Sequence, residues 1–233
     1  MMVSHDMAET LGFFRAWLKA PLRVAAVTPS GRALAKLITS EINRGTGPVI
    51  ELGPGTGSFT RILLAHSVRQ EDLVLVEFGA ALAENLHQRF PNVRTLCMDA
   101  ARLRGVHLFD GRAAAAVVSA LPLSSMPRRK VIGILKGAFD KMRADGVFYQ
   151  FTYGPRFPVP QRLLDRLGLQ AEQIGSTLAD FPPASVYRLS RIDRSPAMSS
   201  FSRIAIGGKT TTRRRELAPK QGWWRGRTAT SPS

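Results

Sequence analysis

Val49-Ile50-Glu51-Leu52-Gly53-Pro54-Gly55-Thr56-Gly57 decides how this chain is read. A short apolar strand ends in an acidic residue, three glycines follow at alternate positions, and a helix starts at Ser58-Phe59-Thr60. Glycine permits the tight backbone turn and the close ligand approach that such a strand–helix junction needs. The helix beyond it offers unpaired N–H groups to an anionic ligand group. The dinucleotide fingerprint needs two residues between its second and third glycines. Here there is one, and Ser58 stands where the last glycine of that fingerprint would be. The stretch therefore predicts an open α/β sheet with a ligand at a strand end, and not the dinucleotide form of it.

Working outward, the strand ends that follow carry the polar groups such a sheet needs. Asp72-Leu73-Val74-Leu75-Val76-Glu77 reads as a second buried strand ending in a carboxylate, twenty residues past Gly57. An acid at that place meets ribose hydroxyls in open α/β sheets, since a carboxylate accepts both hydrogen bonds of a diol. Val93-Arg94-Thr95-Leu96-Cys97 reads as a third strand, followed by Met98-Asp99-Ala100, and Ala114 to Ser119 as a fourth, with Ala120-Leu121-Pro122-Leu123 behind it. Helices are expected over 58–65, 80–89, Pro127 to Met142 (with Ile132, Leu135, Phe139 and Met142 on one face) and 161–167. Asp145-Gly146 predicts a turn into the strand Val147 to Tyr153. A weak strand is expected near 169–172, and the alternation over Ser185 to Ile192 predicts an antiparallel edge strand. The alternating order gives a doubly wound sheet with the ligand along the strand C-termini.

The chain has 233 residues, 44% of them hydrophobic, which suits one α/β domain with appendages. Its one cysteine, Cys97, excludes a disulfide framework and a thiolate cluster, and its place in a strand predicts a buried packing role. The four histidines show no metal-ligand spacing, so no metal is expected. Neither a signal-peptide pattern nor an apolar run of membrane-span length is present, which predicts a cytoplasmic chain, at most peripheral to a membrane. The net charge of +16 gathers at the two ends. Residues 195–233 hold eight Lys or Arg against one acid, Glu216, and no acid lies between Glu9 and Glu41. Such a balance predicts an anionic partner surface, nucleic acid or lipid.

Residues 9–20 read as a helix stopped by Pro21. Leu11, Phe13, Phe14, Trp17 and Leu18 share an arc of roughly 160°, bordered by Arg15 and Lys19. This pattern fits a helix lying in a membrane interface. It also fits a core helix whose basic side chains reach out to water. A second helix is expected from Gly31 to about Ile42, capped by Ser30. Three segments result: 1–47 with the amphipathic helices, 48–194 as the core, and a basic tail over 195–233 that reads as disordered, with Trp223-Trp224-Arg225 as its one feature.

Beyond these readings, the chain resembles the soluble-type bacterial phospholipid N-methyltransferases. The matching stretches are Ala25 to Ser30, Glu51 to Gly57, Asp99-Ala100, Val118 to Leu123, Gln150 to Pro155, Pro158 to Pro160 and Pro182 to Tyr187. The S-x-L-P-L and Q-F-T-Y-G-P strings are the specific ones. The resemblance implies a Rossmann-like class I methyltransferase: a seven-stranded, mostly parallel sheet with a C-terminal antiparallel strand, preceded by amphipathic helices. It implies S-adenosylmethionine (SAM) as cofactor, held by Glu51, Leu52, Gly53, Gly55, Thr56, Gly57, Glu77, Phe78, Asp99, Ala100 and Ser119, with Asp99 taking the adenine amino group. It implies phosphatidylethanolamine as substrate, methylated towards phosphatidylcholine on the inner face of the membrane. Carbonyls around Ser119, Leu121 and Pro122 would then receive the amine, and Tyr153 would face it. Phe13, Phe14, Arg15, Trp17, Leu18, Lys19 and Arg32 would meet the anionic membrane and its lipid.

That family is similar to the rRNA adenine methyltransferases, the rival reading together with other small-amine methyltransferases. The RNA enzymes carry Asn-Leu-Pro followed by an aromatic ring that stacks on a flipped base. Ala120 and Leu123 occupy those positions here, and an aliphatic side chain has no π-face for a contact of about 1–3 kcal/mol. A third reading, a basic binding module with a relic fold, conflicts with the intact acids Glu51, Glu77 and Asp99.

Overall fold

The computed structural model describes residues 29–153, 156–178 and 183–192. In chain order the elements are α1 (Pro29–Ile38), β1 (Val49–Leu52), α2 (Ser58–Ala65), β2 (Leu73–Glu77), α3 (Ala80–Arg89), β3 (Arg94–Cys97), β4 (Ala114–Ser119), α4 (Arg128–Lys141), β5 (Met142–Tyr153), α5 (Gln161–Leu167), β6 (Leu169–Thr177) and β7 (Ala184–Arg191). The strands form one seven-stranded sheet in the order β3-β2-β1-β4-β5-β7-β6. Pairing is parallel from β3 through β5, and β7 runs antiparallel to both its neighbours. This is the Rossmann-like architecture expected from the sequence.

Helices cover both faces. Ile50, Leu52, Val74 and Val117 point to the face packed by Val131, Ile134, Leu135 and Ala138 of α4. Val49, Leu73, Leu75 and Val118 point to the other, packed by Leu34, Ala35 and Ile38 of α1 with Phe59 and Leu63 of α2. Continuous burial of β1, β2 and β4 follows, as in any parallel sheet sandwiched between helices. The switch point lies between β1 and β4, where the chain returns across β1, and ligand crevices open there.

Several expectations are corrected. The strand at 185–192 is not an edge: β7 is flanked by β5 and β6, and β6 is the edge. The half-exposed Arg188 that made it look like an edge is instead paired with Glu41 and Glu172. The weak strand at 169–172 extends to Thr177, with β7 as its partner. Cys97 is exposed, because β3 ends one side of the sheet and lacks a second neighbour. Ser30 lies inside α1, which begins at Pro29, so it is not the cap. Asp72 lies in a 3-10 turn ahead of β2. There burial opposes its charge, but hydrogen bonds from Arg112 and Arg69 outweigh that and hold its carboxyl below the usual range. The buried face of α4 centres on Ile134 and Ala138, leaving Ile132 half-buried, and Met142 belongs to β5.

The predicted turn at Asp145-Gly146 survives as a bulge within β5. Met142 pairs with Ala114 and Val147 with Ala116, so 143–146 loop out. Arg191 holds this bulge from β7. Its guanidinium donates to the carbonyls of Arg143 (2.7 Å) and Ala144 (3.1 Å) and lies 5.2 Å from the Phe139 ring.

Candidate active site

The candidate site runs along the C-terminal ends of the parallel strands. Glu51 sits just before the end of β1 and is fully buried. Its Oε2 accepts from the Thr60 hydroxyl at 2.7 Å, while Oε1 is buried without a partner. Burial pushes its pKa up to about 8; hydrogen bonds from the Thr60 hydroxyl and backbone N–H pull against this, and the Glu77 charge adds to it. Gly57, the residue capping α2, has no side chain with which to cap, so Glu51 satisfies part of the first turn from below.

Glu77, at the end of β2, ties two loops together. Its Oε2 accepts from the Gly55 N–H (3.1 Å) and its Oε1 from the Gly79 N–H (2.9 Å). Each oxygen keeps a further lone pair. Phe78 follows with its ring 60% exposed, which for a large aromatic side chain signals a surface built to be covered. Lys130 Nζ lies 5.2 Å from that ring and 3.1 Å from Asp99 Oδ2. Asp99 Oδ1 accepts from the Ala101 N–H at 3.0 Å, and Ala100 is buried beneath. Lys130 thus bridges Phe78 and Asp99, two of the residues expected at the cofactor. Lys130 was missed; its signal was the basic run Arg128-Arg129-Lys130 at the expected start of α4.

Gly53 and Gly57 are held at φ 68° and 76°. A Cβ on Gly53 would stand 2.7 Å from Leu121 Cδ2, so this glycine admits the segment after β4. A Cβ on Gly57 would stand 2.6 Å from the Phe90 ring, so this one serves packing of the α3 end. Thr56 accepts through its carbonyl from Arg89, and Leu52 is fully buried.

Ser119 ends β4 beside Leu52 and Gln150, buried, and its Oγ accepts from the Leu121 N–H at 3.3 Å. Gln150 Nε2 donates to the Leu121 carbonyl (2.9 Å) and to the Phe151 carbonyl (2.6 Å). The Leu121 residue is therefore fixed at both its N–H and its C=O. Gln150 is the second residue that sequence reading missed, although a Gln inside the apolar run Phe148 to Phe151 requires a buried partner. Leu121, Pro122, Phe151, Tyr153 and Pro158 line a mostly apolar cavity of about 200 Å³ at this point. Tyr153 and Phe151 meet edge-on with centroids 5.7 Å apart, and Phe151 meets Phe59 likewise at 5.8 Å.

Arg32 is exposed on α1 and does not line this cavity. Phe13, Phe14, Arg15, Trp17, Leu18 and Lys19 lie outside the described residues, as does the basic tail. Among the described residues, no helix is long and apolar enough to cross a membrane, and no group of three or more His, Cys, Asp or Glu is placed to hold a metal ion.

No protein-family model and no curated protein sequence matches the chain. Solved structures do. The DhpI structure in complex with SAH aligns with a TM-score of 0.57 at 19% identity, covering 82% of this chain and 100% of that one. A TehB-like SAM-dependent methyltransferase from Corynebacterium glutamicum aligns at 0.54 and 18%, covering 79% and 98%. Magnesium protoporphyrin IX methyltransferase from Synechocystis, with bound SAM, aligns at 0.53 and 14%, covering 75% and 83%. At these identities the likeness establishes the fold.

Proposed function

We propose that this chain is a SAM-dependent N-methyltransferase acting on the primary amine of phosphatidylethanolamine and its partly methylated forms, at the cytoplasmic face of a membrane. One observation carries the reading: a mostly apolar cavity walled by Tyr153 and by Leu121, whose carbonyl is held in place by Gln150 and the Leu123 N–H. The structural neighbours crystallised with SAM or SAH support the cofactor.

The residues present fit SAM. The buried, unpartnered Oε1 of Glu51, the remaining lone pairs of Glu77, the exposed Phe78 ring and Asp99 stand at three successive strand ends. Glu77 suits the ribose diol, and Phe78 with Asp99 suits the adenine. SAM supplies an electrophilic methyl group when bound, so the protein's task is to orient and desolvate an amine.

The Leu121 carbonyl accepts from Gln150 and from the Leu123 N–H, each at 2.9 Å, so both its lone pairs are engaged and it fixes the loop that walls the cavity. Apolar walls disfavour an ammonium and so ease loss of its proton before transfer. The Tyr153 ring then stabilises the developing cation by roughly 0.5–2 kcal/mol, and its hydroxyl takes part in proton removal. A flipped adenine fits less well. Ala120 and Leu123, which stand where the RNA enzymes carry Asn and an aromatic ring, are both buried in the core. The segment around Phe14 and Trp17, with Arg15 and Lys19, which its sequence leads one to expect as an amphipathic helix, would dock the enzyme on anionic lipid.

The test is incubation with labelled SAM and either phosphatidylethanolamine liposomes or ribosomal RNA. Label is expected in lipid; label in adenine and none in lipid overturns the reading.

A further inference from the structure

A second cavity, of about 370 Å³, lies between the start of α4 and the exposed side of α5. Arg128, Arg162 and Arg166 wall it, and Ile132, Pro160 and Leu163 supply the apolar part. Arg162 and Arg166 are four residues apart on α5 and so share one face. Arg128 is the first residue of α4, whose start has no side-chain cap and no acid in its first turn. The dipole of this 14-residue helix adds positive potential there.

Among the described residues no acid lines the cavity, and Arg128, Arg162 and Arg166 have no carboxylate partner, unlike Arg69, Arg104, Arg112, Arg143 and Arg188 but like several other arginines, which do not share one cavity. The one acid on α5, Asp165, accepts from Gln161 at 2.8 Å. Three guanidiniums converging without a counter-charge repel one another, and an anion relieves that repulsion. The guanidinium fork matches the spacing of phosphate oxygens, which a bare point charge does not.

We propose that Arg128, Arg162 and Arg166 form a phosphate subsite that takes the phosphodiester of an amphiphile, in place of the Arg32 contact expected from the sequence. The proposal rests on the acceptor reading above. It names the group that holds the substrate's phosphate while the amine lies in the neighbouring cavity. Two features favour a lipid phosphodiester over free phosphate or RNA. Ile132 and Leu163 are half-buried apolar surface beside the guanidiniums, useful to a hydrocarbon stem and to neither alternative. The two cavities also draw on neighbouring positions of the chain: Pro158 lines one and Pro160 the other, which at full extension is about 7 Å of backbone.

The full chain and its Arg162→Gln/Arg166→Gln variant would be titrated by calorimetry with dihexanoyl-phosphatidylethanolamine below its micellar concentration, with inorganic phosphate, with a ribosomal RNA fragment, and with SAM. A single Arg128→Gln variant provides an independent second probe. All three side chains are exposed, so melting temperature and SAM affinity are expected to stay unchanged. The short-chain lipid is expected to bind the parent more tightly than inorganic phosphate does, and to weaken about tenfold or more in the double variant. Arg162→Lys/Arg166→Lys, which keeps charge and loses the fork, is expected to fall between. Equal lipid affinity in parent and double variant overturns the subsite while leaving the proposed function standing. Preference of the parent for inorganic phosphate overturns the amphiphile. A parent that ignores the lipid and binds RNA through Arg162 and Arg166 overturns both the subsite and the acceptor reading.

Discussion

The ends of β1 to β3 and the ends of β4 and β5 lie on one sheet edge but differ in construction. Along the first three, the carboxylates of Glu51, Glu77 and Asp99 hold loop and helix N–H groups, so that the polar atoms build the loops as well as face the crevice. Along β4 and β5, one buried amide, Gln150, fixes two carbonyls, and the rest of the wall is mostly apolar, with Ser124, Ser125 and Thr152 as its polar exceptions. The first region is complete in itself and suits one invariant ligand. The second leaves shape and desolvation to select the acceptor, and changes in it should alter substrate without altering SAM affinity.

The two regions touch at Gly53 and Leu121, and the largest effect is expected there. Gly53→Ala forces a left-handed φ on a residue with a Cβ, costing roughly 1–2 kcal/mol, and drives that Cβ into Leu121. Calorimetric titration should detect no SAM binding, and the melting temperature should fall. Full SAM affinity in a folded variant would show that the regions are uncoupled.

Glu51 gives the next effect, read through pH. Its folded-state pKa of about 8 stands above the 4.5 of an ordinary glutamate, so the folded chain holds this proton more tightly than the unfolded one. Stability from this group is complete below about pH 4.5, falls as pH rises, and levels off above about 8. Glu51→Gln removes the slope. Denaturant titrations should place the variant above the parent by several kcal/mol at pH 8, with the gap closing towards pH 5. A constant gap would mean that Glu51 is ionised when buried.

Gln150→Leu should sharpen the contrast. The Leu121 and Phe151 carbonyls lose the Gln150 donor, the Leu121 carbonyl keeping the Leu123 N–H, at a cost of about 1–3 kcal/mol. Lipid methylation should drop about tenfold to a hundredfold with SAM affinity unchanged; loss of both together would merge the two regions. Phe78→Ala should do the converse and least: SAM binding weakened about tenfold by loss of a stacking face, and turnover at saturating SAM retained.

Much of the first region was legible because its signals are local. A buried apolar run, an acid and a glycine turn follow one another within nine residues, and α2, α3, β4 and α5 fall on their expected bounds, while β1 runs one residue past the acid to Leu52. What escaped depends on neighbours distant in sequence. Alternation in β7 reports partial exposure of Arg188, but its carboxylate partners come from residues 41 and 172. Cys97 is exposed because of where β3 lies in the strand order, which its own four residues do not encode. At Gly175 of β6 a Cβ would stand 2.8 Å from Leu37 Cδ1, a contact between α1 and β6 that neither segment encodes alone. The arginine trio joins position 128 to 162 and 166, a proximity that only the fold creates.

The place of β1 in the sheet bears on how the chain is made. β1 pairs with β2 on one side and with β4 on the other, and β4 begins more than sixty residues later. During synthesis the β1-β2-β3 portion can assemble while the second edge of β1, carrying Val49, Ile50 and Leu52, still awaits its neighbour. An unpaired apolar edge of that kind is where nascent chains associate wrongly. Truncation before Ala114 should therefore yield insoluble protein, and slow elongation between residues 53 and 113 should lengthen dependence on chaperones.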